Sequence, residues 1–301
     1  MSAPFHITLQ KMVVLKDFPS GSAMEFFDGN IYLMGDDARQ VVVLDTAYEP
    51  LTYINLFASG EKRIPKIEKA DIEASAIIEH NGFAHLLALG SASRALRERA
   101  FLLSLPANEA STFEIFDTRV FTQRLSDAGV SEVNIEGATS VGSQLLLSNR
   151  GNKNNPDNLL FVTSASYFLE QATTPLQIIN IEMPFQDFPI GISALSFHAP
   201  TDILFFTASV EETTNAYDDG GIGDSYIGCI HNISRRLLHP TIKPDHLLNL
   251  AKADPVFVGQ KVESICFENR EANSLVAHLV SDNDNGESTL FKIQVAVPPG
   301  D

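Results

Sequence analysis

The chain has 301 residues, 44% of them apolar, enough to bury a large core, and at this length one big all-β domain is as natural as two smaller ones. Its 21 basic residues against 38 acidic ones leave a net charge of −17, spread along the chain, which repels nucleic-acid phosphates and anionic bilayers. No apolar run approaches the ~20 residues of a membrane helix, and the N-terminus lacks a basic start, an apolar stretch and a small-residue cleavage site. The expectation is therefore a cytoplasmic monomer with no nucleic-acid or membrane partner.

In chain order, residues 6–14 alternate as a strand does, and then a pattern begins that returns four times. Its clearest copy is I-E-G-A-T-S-V-G-S-Q-L-L-L-S-N-R-G, residues 135–151: a polar residue leading a short apolar strand, a tight turn, a second apolar strand and a polar cluster. The leading positions are Ser22, Glu73, Glu136, Ser193 and Glu263, and the residues left at the two ends of the chain together make one further interval of the same size. A third apolar strand follows in each unit, at residues 40–45, 100–105, 158–162, 226–230 and 289–295. A more polar fourth follows at 52–57, 113–125 and 176–181. Sets of four short strands at this period predict an all-β, five-bladed β-propeller with four-stranded blades, a single domain over residues 1–301. The fifth unit runs out after three strands, so residues 6–14 are expected to complete it and close the ring. Residues 93–98 and 244–251 can each hold at most a short turn of helix. Cys229 and Cys266 lie in apolar strand-like runs and read as small buried hydrophobes, with a lone disulfide left open.

In a propeller the first strand of each blade lines the channel, and the loop after the second strand returns to the end where the first began. That geometry gathers the leading residues with Asp36 and Asp37, residues 91–94, Asn149 and Arg150, Glu211 and Glu212, and residues 282–284. Three glutamates in one narrow mouth repel one another, so either a cation neutralises them or one of them stays protonated. Oxygen ligands suit calcium before magnesium, and Glu73, Glu136, Glu263 and Asp282 are the candidate ligands. The same three glutamates are the candidate catalytic groups. Arg94 and Arg150, with Asn149, Asp36 and Asp37, are candidates to bind a small anionic ligand. Metal-assisted hydrolysis of a phosphoester is the concrete enzymatic form. The alternatives are a non-catalytic scaffold for a protein or sugar partner, and polar residues that only cap backbone groups of neighbouring blades. The acidic, glycine-rich insertion at residues 211–224 lacks the ligand spacing of an EF-hand loop and reads as a plain loop.

The ordered set S-G-S at 20–22, G-D-D at 35–37, D-I-E-A at 71–74, G-S-A-S at 90–93, N-I-E-G-A at 134–138 and S-N-R-G-N at 148–152 resembles an uncharacterised bacterial β-propeller family over nearly the whole chain. The I-E-G and N-R-G elements are also similar to those of phytase-like and SdiA-regulated propellers. The first resemblance implies the fold and no activity; the second implies phosphoester hydrolysis at a channel metal. Ser22 and Ser193 depart from a fully acidic ring.

Overall fold

The computed structural model describes residues 5–57, 63–184, 188–211, 222–268, 275–283 and 286–298. Strand β1 (His6–Leu15) leads into the first blade, β2 (Gly21–Phe27), β3 (Asn30–Gly35), β4 (Gln40–Leu44) and β5 (Pro50–Asn55). The second blade is β6 (Ile72–His80), β7 (Phe83–Gly90), β8 (Arg99–Ser104) and β9 (Glu114–Asp117). Helix α1 (Arg119–Asp127) separates it from the third, β10 (Ile135–Val141), β11 (Gln144–Asn149), β12 (Asn158–Ser164) and β13 (Gln177–Ile181). The fourth begins with β14 (Ile190–His198), β15 (Ile203–Glu211) and β16 (Ile222–His231). After the single turn α2 (Ile233–Arg236) the two-residue β17 (Thr241–Ile242) crosses back to pair in parallel with β13, and β18 (His246–Asn249) then completes the fourth blade. After α3 (Leu250–Ala253) the fifth blade is β19 (Val262–Phe267), β20 (Leu275–Asp282) and β21 (Ser288–Ala296), with β1 as its outer strand.

The five sheets form the five-bladed propeller that the repeat predicts. Tight turns set the hairpins: Asp28-Gly29 and Asn81-Gly82 both carry positive φ at two successive residues, the geometry that Asp-Gly and Asn-Gly pairs favour. Second strands are apolar on both faces because a blade lies on either side of them. In β11, Leu145, Leu146 and Leu147 are all fully buried. The core is accordingly five apolar layers, one between each pair of neighbouring blades, the last joining Phe18, Met24 and Ile31 of the first blade to Cys266, Val280 and Leu290 of the fifth. β1 pairs antiparallel with β21 from His6 opposite Ala296 to Leu15 opposite Ser288, which closes the ring as expected. Short polar bonds reinforce the joint: the Gly21 amide donates to Ser288 Oγ at 2.9 Å and the Met24 amide to Ser264 Oγ at 3.1 Å.

Two local expectations change, and the cysteines are the buried hydrophobes expected. Residues 113–125 are not one strand: β9 ends at Asp117, and Phe121, Thr122 and Leu125 then face the core with the helical spacing of α1. Residues 244–251 hold β18 before the turn of α3, which Asn249 caps by accepting the Lys252 amide at 3.0 Å. Both cysteines are free and buried in different interblade layers, and burial pushes the Cys229 thiol up to about 12.

Candidate site at the channel mouth

Each inner strand carries a bulge at the same place. The ladder slips between Gly21 and Ala23, Ile72 and Ala74, Ile135 and Gly137, Ile192 and Ala194, and Val262 and Ser264. The residues passed over are Ser22, Glu73, Glu136, Ser193 and Glu263, the five leading positions of the repeat. A bulged residue is released from the ladder and its side chain re-aimed. The second loops return to the same end through one recurring backbone bond: Asp36 to Ser20 (3.0 Å), Ser91 to Asp71 (2.9 Å), Arg150 to Asn134 (2.9 Å) and Asp282 to Lys261 (3.1 Å), each amide donating to the earlier carbonyl.

One sector of the mouth belongs to the first two blades. Asp36, Asp71 and Glu73 each place a carboxylate oxygen within 4.8 Å of the others, a spacing that could hold a metal ion. The Lys69 ammonium lies among them, donating to Asp36 and standing 2.9 Å from Asp71 Oδ1. Asp71 Oδ2 accepts from Arg97 at 2.6 Å and from Ser91 Oγ at 2.6 Å. Asp71 adopts a left-handed conformation (φ 56°), as Ser20 does at the matching place in the first blade. Gly90 makes the closure possible, since a Cβ there would sit 2.6 Å from the Ala70 carbonyl oxygen and closer still to that of Arg97. Asp37 is bound by Arg63 at 2.6 Å. Glu73 takes no hydrogen bond among the described residues, and burial, then the charges of Asp71, Glu136 and Asp36, push its carboxyl well above the ordinary value, with Lys69 pulling the other way. Burial raises Asp36 to about 6, against the pull of Lys69. Burial alone would lower the Lys69 ammonium, but Asp36, Asp71 and Glu73 outweigh it and raise it.

The other sector joins the third, fourth and fifth blades. Glu136 accepts from the Asn134 side-chain amide at 2.7 Å and from Arg150 at 3.2 Å. The same guanidinium donates to Ser209 Oγ at 2.8 Å and lies 4.0 Å from Glu263, whose other carboxylate oxygen meets the Lys261 ammonium at 3.0 Å. Arg150 reaches across because Gly191 leaves room, where a Cβ would come within 2.6 Å of its Cγ and 2.7 Å of its Nε.

The remaining expected residues are placed as follows. Ser22 Oγ donates to the Ile72 carbonyl and Ser193 Oγ to that of Val262 at 2.8 Å, so both serines tie their blade to the next. Asn149 is turned to the backbone, accepting from the Asn134 backbone amide at 2.7 Å and donating to the Glu132 carbonyl at 3.1 Å. Arg94 is exposed at the start of the 3-10 turn whose last residue, Arg97, is the buried guanidinium. Asp282 is buried and its charge is felt by Arg63. Residues 212–221, 284 and 285, which include Glu212 and most of the acidic insertion, lie outside the described residues. Of the four expected calcium ligands, the metal-spaced trio includes Glu73 alone, while Arg150 stands against both Glu136 and Glu263. Sequence reasoning missed Asp71, Lys69, Arg97, Arg63, Asn134, Ser209 and Lys261 as site residues. Asp71 and Asn134 were within the quoted D-I-E-A and N-I-E-G-A motifs, immediately before the inner strand, and that shared position was the available signal.

A family model described as "Family of unknown function (DUF6929)" matches residues 17–295. Among solved structures the chain is similar to the glutaminyl cyclase of Myxococcus xanthus, at 10% identity over 99% of this chain and 100% of that one, with a TM-score of 0.54. It is also similar to a GH43 β-1,3-galactosidase solved with galactodeoxynojirimycin, at 13% identity over 93% of each chain, with a TM-score of 0.51. At these identities the likeness shows a shared fold. No curated protein matches the sequence.

Proposed function

Because the chain belongs to the DUF6929 family, whose description assigns no activity, we propose a function from the chemistry of the mouth: a small-molecule site that carries out acid–base, hydrolytic chemistry with Glu73 as proton donor. What supports this reading is Glu73 itself, a bulged residue at the mouth with no hydrogen bond among the described residues and a carboxyl that burial and three neighbouring acids push well above its ordinary value. An acid that holds its proton near neutral pH is what general-acid catalysis requires. Glu136 sits in the opposite environment, tied to Arg150 and Asn134. Two carboxylates in contrasting surroundings divide the roles of acid and base.

The ligand class follows from what is left unsatisfied. Asp36 Oδ1, Asp37 Oδ1 and Glu263 Oε2 are buried acceptors without a hydrogen-bond donor. Arg63, Lys69, Arg97, Arg150 and Lys261 already face carboxylates. Hydroxyl or ammonium groups on a neutral or cationic ligand would satisfy those oxygens. A second reading, calcium-assisted hydrolysis of a phosphoester, is favoured by the spacing of Asp36, Asp71 and Glu73, and it requires a cation to displace Lys69.

The test is a thermal-shift screen of polyols, sugars, amines and phosphoesters, followed by turnover assays on the compounds that bind. Glu73→Gln is expected to keep the binding shift and lose about 10²–10⁴-fold in turnover. Unchanged turnover, or binding confined to phosphoesters, would overturn the reading; a ligand bound without turnover by either protein would make the ring a non-catalytic scaffold.

A further inference from the structure

The three carboxylates of the first sector have the spacing of a divalent-cation site, yet few of their oxygens are open. Asp71 Oδ1 faces the Lys69 ammonium at 2.9 Å, and its Oδ2 accepts from Arg97 and Ser91, both at 2.6 Å. Asp36 Oδ2 is taken by Lys69, which leaves Asp36 Oδ1 and the Glu73 carboxyl. Calcium asks for six to eight oxygens. Two cations, Lys69 and Arg97, already stand against Asp36 and Asp71.

We infer that Lys69 is the resident counter-ion of this cage: its ammonium stands where a divalent cation would, and the wild-type cage works without metal. The backbone builds Lys69 into that place. The Glu68 and Lys69 amides both bind the Pro65 carbonyl, at 2.8 and 3.0 Å, and two residues later Asp71 turns through its left-handed conformation and fixes the Ser91 amide at 2.9 Å. The Lys69 side chain is only 10% exposed. A long flexible cation on a surface is cheap to displace; one buried between two carboxylates and anchored through its own backbone is not. The inference goes beyond the proton-transfer reading, and a titration without substrate tests it separately.

The experiment is calorimetric titration of chelator-treated protein with calcium, magnesium and manganese, with melting curves in parallel, on the wild type, Lys69→Met and Lys69→Arg. The wild type and Lys69→Arg are expected to bind no ion at the cage and to melt unchanged. Lys69→Met, which keeps the length of the side chain and removes its charge, is expected to melt lower without ion, to bind one divalent ion, and to lose that binding when Asp36→Asn is added. Two results overturn the inference: wild-type ion binding that Asp71→Asn abolishes, or a folded Lys69→Met that binds no ion. The wild-type titration decides the matter even if Lys69→Met fails to fold.

Discussion

Replacing Arg150 with Met should expose how the second sector is held together. The guanidinium is buried and spans three groups, Glu136 at 3.2 Å, Ser209 at 2.8 Å and Glu263 at 4.0 Å. Methionine fills much of the same volume without the charge, so the loss is electrostatic. Removing one partner of a buried ion pair costs about 3–5 kcal/mol. The lower figure, about 3 kcal/mol, applies because Glu136 keeps its 2.7 Å bond from Asn134 and Glu263 its 3.0 Å contact with Lys261. At about 2.1 cal/mol/K per residue, the unfolding entropy of 301 residues is about 0.6 kcal/mol/K, so Tm should fall by about 5 °C. The assay is scanning calorimetry at neutral pH on the single variant and on Arg150→Met with Glu136→Gln. The double variant should recover at least half of the loss, because it no longer buries the stranded charge. A single-variant shift below about 1 °C would mean that the pair is screened by water, and no recovery in the double variant would mean that the cost is packing.

Gly191→Ala should act through the same guanidinium, because the added methyl lands within 2.7 Å of it. A cost of about 1–3 kcal/mol is expected, and it should shrink in the Arg150→Met background; equal costs in both backgrounds would show that Arg150 gives way freely. Glu73→Gln should change the pH dependence of stability. The folded Glu73 carboxyl is raised above its ordinary 4.5, so its stabilising contribution is complete below pH 4.5 and is lost as pH rises through the folded value. Glutamine does not ionise, so the variant should gain on the wild type as pH rises; a difference in Tm that does not vary with pH would contradict this.

The ring was legible because five copies of one strand pattern must pack alike, and the residue heading each copy proved to be the bulged one. Closure by β1 followed from a fifth unit one strand short. The mouth was half legible. Glu73, Glu136 and Glu263 stand on the repeat, but Lys69, Arg97 and Arg63 lie in the irregular connections on either side of it, where no period marks them. Arg94 and Arg97 show the difficulty: both sit on one short turn, and only the backbone path decides which guanidinium reaches Asp71. Helix α1 was hidden for a related reason, since the alternating apolar residues at 113–116 run straight into Phe121 and Leu125.

For Glu73 to act as the proton donor proposed above, its carboxyl must titrate well above the ordinary carboxylate range. The most direct test is a carbon-13 NMR titration of the glutamate side-chain carboxyls, with the Glu73 resonance assigned by its loss in Glu73→Gln. A midpoint well above 4.5, falling when Asp71→Asn removes a neighbouring charge, is the result expected. A midpoint at the ordinary 4.5 would show a carboxylate that is ionised at neutral pH and would contradict the claim.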